Sequence, residues 1–242
     1  MVMTEFTLPV SMPAALLRAV QHGESRRSAS DRSTHEAQST PTAFTIALSR
    51  EVGARGTSVA RELGQRLGWP VYDQELVKSI AEEMHVHTSL LESVDERHKD
   101  WLEERVEALC AVPTVSEAAF VRRLVQTLLS LAAHGECVIV GRGSPHVLPS
   151  ASTLKVRLVA ALEDRVSVMA QELGVSREKA AKHIADADRQ RTRFIKEHFF
   201  ADPSDPQHYN LVINTSRWTV RECADLVLAA LERLQARSRM GS

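Results

Sequence analysis

Cysteine is scarce in this chain, with only Cys110, Cys137 and Cys223 among 242 residues. They are far apart and odd in number, so they form neither a disulfide framework nor a zinc-ligand pattern, and the cytoplasm is the expected compartment. Charge of one sign is also missing: 30 Lys and Arg stand against 31 Asp and Glu, a net charge of −1. That balance leaves no footprint for nucleic acid or an anionic membrane. No apolar run approaches the roughly 20 residues of a spanning helix. The stretch PAALLRAV is short and follows Glu5, so it is not read as a signal peptide. His85 and His87 lack a third ligand and are read as solvent-facing. GSPH (residues 143–146) lacks the strand-to-helix elbow of a serine hydrolase. No internal repeat is present, and the oligomeric state is not legible.

What is there fits one globular domain behind a flexible extension. Residues 24–42, ESRRSASDRSTHEAQSTPT, are polar and nearly devoid of large apolar side chains, which predicts a linker. The expected division is an extension over 1–43, a domain over 44–237 and a disordered tail over 238–242. Within the domain, short apolar runs alternate with helical periodicity. FTIAL (44–48), WPVY (69–72), CVIVG (137–141), LKVRLVA (154–160) and YNLVIN (209–214) are read as strands. Helices are expected over 57–67, from Asp73 to 84, from Ser89, over 116–134, from Glu163, from Ser176 to about 200, and from Thr219. Asp73 and Ser176 are caps, and SLLE and TVRE are capping boxes. Buried strands separated by helices imply a parallel sheet covered on both faces, with ligands beyond the strands' carboxyl ends. Those ends carry residues 49–56, Asp73, 141–143 and 160–165.

The first of these ends is a glycine loop between a strand and a helix, SREVGARGTS. Gly53 and Gly56 let the backbone turn and bring amides close to an anion, and the following helix aims its positive end there. Thr57 and Ser58 fall where a phosphate loop ends in its hydroxyl pair, with Ser58 the candidate magnesium ligand. Gly56 falls on the usual lysine position and Arg55 just before it, so GxxxxGK[ST] is broken. A plain strand-to-helix turn is the other reading.

Arginines supply the remaining candidates. Arg142 lies between Gly141 and Gly143 at a strand end. It either grips phosphate or pairs with Glu51 or Asp73. At 100° per residue, Ile184, Ala187, Phe194, Ile195 and His198 share a helix face with Arg191 at its centre. A charge so placed must be paired or open to a cleft, which makes Arg191 the arginine-finger candidate. Arg189 and Arg193 fall nearly opposite, at pairing distance from Asp186 and Glu197. Asp73 either orients an acceptor or simply caps its helix.

TIALSREVGARGTSVARELGQRLGWPVYDQELV resembles the opening of the cytidylate kinase-like family of P-loop kinases, whose loop also lacks the lysine. CVIVGRGSPHVL is similar to the family's third strand and turn. LKVRLVAALEDRV is similar to its fourth strand and helix, DRQRTRF to its lid, and YNLVINTSRWTVREC to its last strand and helix. The resemblance runs in order from about Phe44 to the last helix. It implies a three-layer α/β/α fold with a five-stranded parallel sheet of order 2-3-1-4-5. It also implies an acceptor-side helical region over 73–134 and a lid over 176–205. The implied activity is ATP- and magnesium-dependent phosphoryl transfer to a nucleoside monophosphate, CMP or dCMP. The implied nucleotide-holding set is Arg50, Gly53, Ala54, Arg55, Gly56, Thr57, Ser58 and Arg165. The implied catalytic arginines are Arg191, Arg142 and Arg189, with Asp73, Gly141, Arg142 and Gly143 at the acceptor. Arg165 matches a family position, although a helix-surface pair fits it equally. Gly143 stands where authentic cytidylate kinases have an aspartate, and YDQELVK does not reproduce their nucleotide-reading run. A nucleotide-binding regulator and a kinase for a non-nucleotide acceptor therefore remain as alternatives.

Overall fold

The computed structural model describes residues 43–73, 77, 90–91, 94, 96–110 and 117–240. The amino-terminal extension, the SLLE capping box, HVH and most of the helix expected after Asp73 lie outside the described residues. Five strands, β1 (Thr45–Arg50), β2 (Val71–Tyr72), β3 (Cys137–Val140), β4 (Thr153–Val159) and β5 (Leu211–Asn214), form one sheet. Every pairing is parallel and the order is β2-β3-β1-β4-β5. The chain leaves the central strand β1 with β3 on one side and β4 on the other. That reversal opens a crevice beyond the carboxyl ends, where such sheets bind ligands.

Helices α1 (Gly56–Leu67) and α7 (Val220–Met240) cover one face of the sheet. Ile46 and Leu48 of β1, Val138 and Val140 of β3, and Val156 and Leu158 of β4 pack there with Val59, Leu63 and Val227. The period of two sends Ala47, Cys137 and Ile139 to the other face. Helices α2 (Glu96–Leu109) and α3 (Glu117–His134) build a second core on that side through Leu102, Val106, Leu124 and Leu128. Each fully buried Leu, Ile or Val contributes about 1.5–3 kcal/mol against exposure. A third, smaller cluster joins Val52 of the glycine loop to α5 (Leu162–Leu173) and α6 (Arg177–Phe199) through Val166, Met169, Ala180 and Ile184.

The caps expected at Ser176 and Thr219 form. Ser176 Oγ accepts from the Lys179 N–H at 3.4 Å, opening α6. Thr219 and Glu222 make the reciprocal capping box, with Glu222 Oε2 accepting from the Thr219 N–H at 2.7 Å and Thr219 Oγ1 from the Glu222 N–H at 3.3 Å. Three details depart from expectation. A one-turn helix, α4 (Ser144–Val147), follows β3. Tyr209 stands outside β5 and closes a 3-10 turn at Pro206–His208, its hydroxyl donating to the Pro203 carbonyl at 2.9 Å. Helix α7 continues to Met240, three residues into the expected tail, with Arg237 and Arg239 in the last turn complementing its negative end.

Candidate active site

The glycine loop is residues 51–55, between β1 and α1. Its start is fixed by the Glu51 N–H donating to the Leu158 carbonyl at 3.0 Å and the Ala54 N–H donating to the Glu51 carbonyl at 3.2 Å. Gly53 has φ 79°, and a Cβ on it would stand 2.7 Å from the Arg165 carbonyl oxygen, so no side chain fits. Arg55 takes the left-handed conformation, φ 55°, and gives α1 no side-chain cap. The Val59 N–H donates to the Arg55 carbonyl at 3.0 Å. The amides of Gly56, Thr57 and Ser58 precede it, in the turn where a helix presents N–H groups to an anion.

A side chain at position 56 would collide with Arg50. A Cβ on Gly56 would lie 2.6 Å from Arg50 Cγ, and a Cβ on Gly141 would lie 2.0 Å from Arg50 Nη1. The Arg50 stem therefore fills the space where a residue-56 side chain would begin, and its guanidinium reaches the end of β3. A cation is still delivered beside the loop, from the preceding strand.

Gly141, Arg142 and Gly143 all have positive φ, at 79°, 51° and 76°. For the arginine this costs about 1–2 kcal/mol, a strain that aims its side chain. Gly143 lies under the Phe199 ring, 2.2 Å from any added Cβ, which seats the turn against α6. From α6 comes Arg191, whose guanidinium donates to the Arg50 carbonyl at 3.3 Å. Arg50, Arg142 and Arg191 line one cleft of about 480 Å³. Burial pushes Arg50 down to about 10, and Arg191 and Arg142 push it further the same way while Asp73 opposes them. Arg191 is lowered too, by burial first and by Arg142, against Asp188. Three crowded, partly desolvated guanidiniums repel one another, and a multiply charged anion between them removes that cost.

A carboxylate joins α6 to the loop. Asp188 Oδ1 accepts from the Val52 N–H at 2.9 Å, and its Oδ2 pairs with Arg165 Nη1. Arg165 also donates to the Val52 carbonyl at 3.3 Å and lies 3.6 Å from Glu51. Its side chain is only 12% exposed, so the structure seats Arg165 as a tie between loop, α5 and α6.

The other expected site residues divide. Ala54 is buried, its carbonyl accepting from Thr215 Oγ1 at 3.3 Å. Thr57 is exposed and Ser58 half-buried at the start of α1, outside the cleft wall. Asp73 is close enough to act on Arg50, and its carbonyl accepts from the Val77 N–H at 3.0 Å. Arg189 is 78% exposed and 3.8 Å from Asp186, and Arg193 pairs with Glu197 at 2.7 Å, both away from the cleft. Among the described residues no cluster of three or more His, Cys, Asp or Glu could hold a metal. A magnesium held by one loop hydroxyl and by substrate phosphates needs no such cage, and Thr57 and Ser58 stand at the helix start for it.

Sequence reasoning did not find three things. A second depression of about 310 Å³ lies on the opposite side of the loop, lined by Gly53, Arg55, Asp164, Val168, Arg217 and Trp218. Its signal was present as SRW, just past the carboxyl end of the last strand. The Asp188 tie was hidden by its separation of 136 residues from Val52. Arg157 and His146 line the cleft, and His146 is held at about 4 by burial, with His208, Lys155 and Arg157 adding to it.

The model of a family described as the cytidylate kinase-like family matches residues 45–217, which takes in every strand and the whole cleft. The chain belongs to the cytidylate kinase-like family. It is 27% identical to the cytidylate kinase of Methanopyrus kandleri over 195 residues, 76% of this chain and 91% of that one. It is 30% identical to the cytidylate kinase of Pyrococcus horikoshii over 121 residues, half of this chain and 62% of the relative. The crystal structure of an uncharacterized protein from Eubacterium ventriosum superposes with TM-score 0.65 at 19% identity, covering 78% of this chain and 98% of that one. That likeness bears on the fold, a three-layer α/β/α arrangement around a five-stranded parallel sheet of order β2-β3-β1-β4-β5. No helix among the described residues is long and apolar enough to cross a membrane.

Proposed function

We propose that this protein transfers a phosphoryl group from ATP to a nucleoside monophosphate, with CMP or dCMP as acceptor. Membership of a kinase family supports the reaction class. The observation that carries the reading is the convergence of Arg50, Arg142 and Arg191 on one cleft beside the glycine loop. The loop amides and the start of α1 receive the donor's polyphosphate. The second depression, with the Trp218 indole at its wall, suits the donor's base. Arg142 holds the acceptor phosphate at the carboxyl end of β3, and Arg191 reaches the transferred group from α6. Ser58 Oγ at the start of α1 would be the protein's ligand to a magnesium ion, which would supply charge neutralisation on the phosphates. No covalent intermediate with the protein is needed, because positioning in line and charge stabilisation carry such a transfer.

Purified protein is incubated with ATP, magnesium and a panel of nucleoside monophosphates, and ADP and new diphosphates are measured. CDP or dCDP formation is expected. ATP binding without transfer to any acceptor contradicts the reading. It would support instead a nucleotide-binding regulator, which the unreproduced acceptor run favours.

A further inference from the structure

Another part of the cleft lining is Arg157 with His146. It is built where β4 faces away from its apolar core. Val156 and Leu158 are buried in that core, so Arg157 projects to the opposite side, beside Ser49 of β1 in the parallel register. Its side chain is only 13% exposed. Among the described residues its polar contacts are weak: Ser49 Oγ at 3.4 Å and a Glu51 carboxylate oxygen at 3.8 Å, beyond hydrogen-bond reach. Its guanidinium lies 5.7 Å from the Tyr209 ring centroid, a contact that uses none of its N–H groups. A largely buried guanidinium with five donors and one marginal acceptor is underused unless a ligand completes it.

His146 of α4 stands in the same wall, its ring edge-to-face with His208 at 5.0 Å and near Tyr209 at 6.1 Å. The imidazole is neutral at ordinary pH and so offers one N–H and one lone pair. Pro145, Phe194 and Pro203 add apolar surface around these groups. Flat apolar walls, a forked donor and a neutral imidazole suit a planar heterocycle.

We propose that Arg157 and His146 form the specificity end of the acceptor cleft, reading a planar ring with two adjacent in-plane hydrogen-bond acceptors. Cytosine presents that edge as O2 and N3, which a guanidinium can meet with two parallel N–H donors. Its 4-amino group then finds the imidazole lone pair. Uracil carries a hydrogen on N3, so one Arg157 donor would face another donor and stay unpaired. The inference rests on the acceptor occupying this cleft, as proposed above, and it explains how a chain without the family's nucleotide-reading run still selects a base.

The test is calorimetric binding of CMP and UMP without ATP, together with steady-state transfer, for the wild type, Arg157→Gln and Arg157→Lys. The wild type is expected to prefer CMP. Arg157→Gln should raise KM for CMP at least about tenfold while kcat changes less than about threefold, and the CMP-to-UMP preference should collapse. Arg157→Lys should not restore it, because an ammonium cannot make the parallel pair, and this variant keeps the test open if the glutamine protein fails to fold. ATP affinity should stay unchanged in both. A folded Arg157 variant that keeps the wild-type preference, or a wild type that binds CMP and UMP equally, overturns the inference. Transfer that persists with an unchanged preference removes the inference and leaves the kinase reading standing. A CMP preference lost on mutation, with no transfer by the wild type, does the reverse.

Discussion

At the scale of single residues, Arg50 occupies the space that a residue-56 side chain would enter. Its Cγ stands 2.6 Å from where a residue-56 Cβ would be. Restoring the familiar motif should therefore do harm. Gly56→Lys is expected to weaken ATP binding by about tenfold or more, since its Cβ meets the Cβ and Cγ of Arg50 and displaces that cation from beside the loop. A gain of affinity would contradict the steric account. Arg191→Ala should lower kcat by about 100-fold, the usual scale for a charge-stabilising donor, with the thermal midpoint shifted by only a few degrees. A large loss of stability with little change in kcat would make Arg191 structural. His146 gives a pH signature. Its pKa falls from 6.5 to about 4 on folding, so the unfolded chain binds more protons between those values. Its contribution to stability is complete above pH 6.5 and is lost as pH falls towards 4. Unfolding midpoints of wild type and His146→Gln should diverge over that window and run parallel above it.

At the scale of elements, α6 links loop and cleft. Asp188 holds the Val52 amide and Arg165 while Arg191, nearly one turn later, holds the Arg50 carbonyl. Asp188→Ala leaves Arg165 without its closest partner in a site 12% exposed. The loss should be about 1–3 kcal/mol, discounted for the partial exposure of Asp188, and about 2–12 °C in the thermal midpoint. A stability unchanged within error would show that the tie is decorative. Elements were also what the sequence showed best. The caps at Ser176 and Thr219, the stripe centred on Arg191 and the outward Arg189 and Arg193 all follow from local spacing, and local spacing is written in the chain. Helix α4 escaped because four residues carry no period. Arg157 escaped because its strand was read only for its apolar half. The polar half of β4 means something only once β1 and β5 lie beside it.

At the scale of the whole molecule, the alternation of strand and helix was legible, but the order of the strands was not. It came from the family resemblance, and the sheet has that order. The order matters because β1 lies between β3 and β4, which brings residues 49–56, 141–143 and 157–165 to one edge though they are distant in sequence. The arginine cluster is a product of that topology, and its mutual repulsion is what a bound polyphosphate would relieve. The central claim is that loop amides and strand-borne arginines bind polyphosphate without a loop lysine. Isothermal titration of the protein with ATP and magnesium tests it most directly. The account predicts a Kd between about 1 μM and 1 mM, the ordinary range for enzyme substrates, weakened at least tenfold in Arg50→Ala. No detectable heat with ATP or ADP, and no displacement of either by excess pyrophosphate, would contradict it.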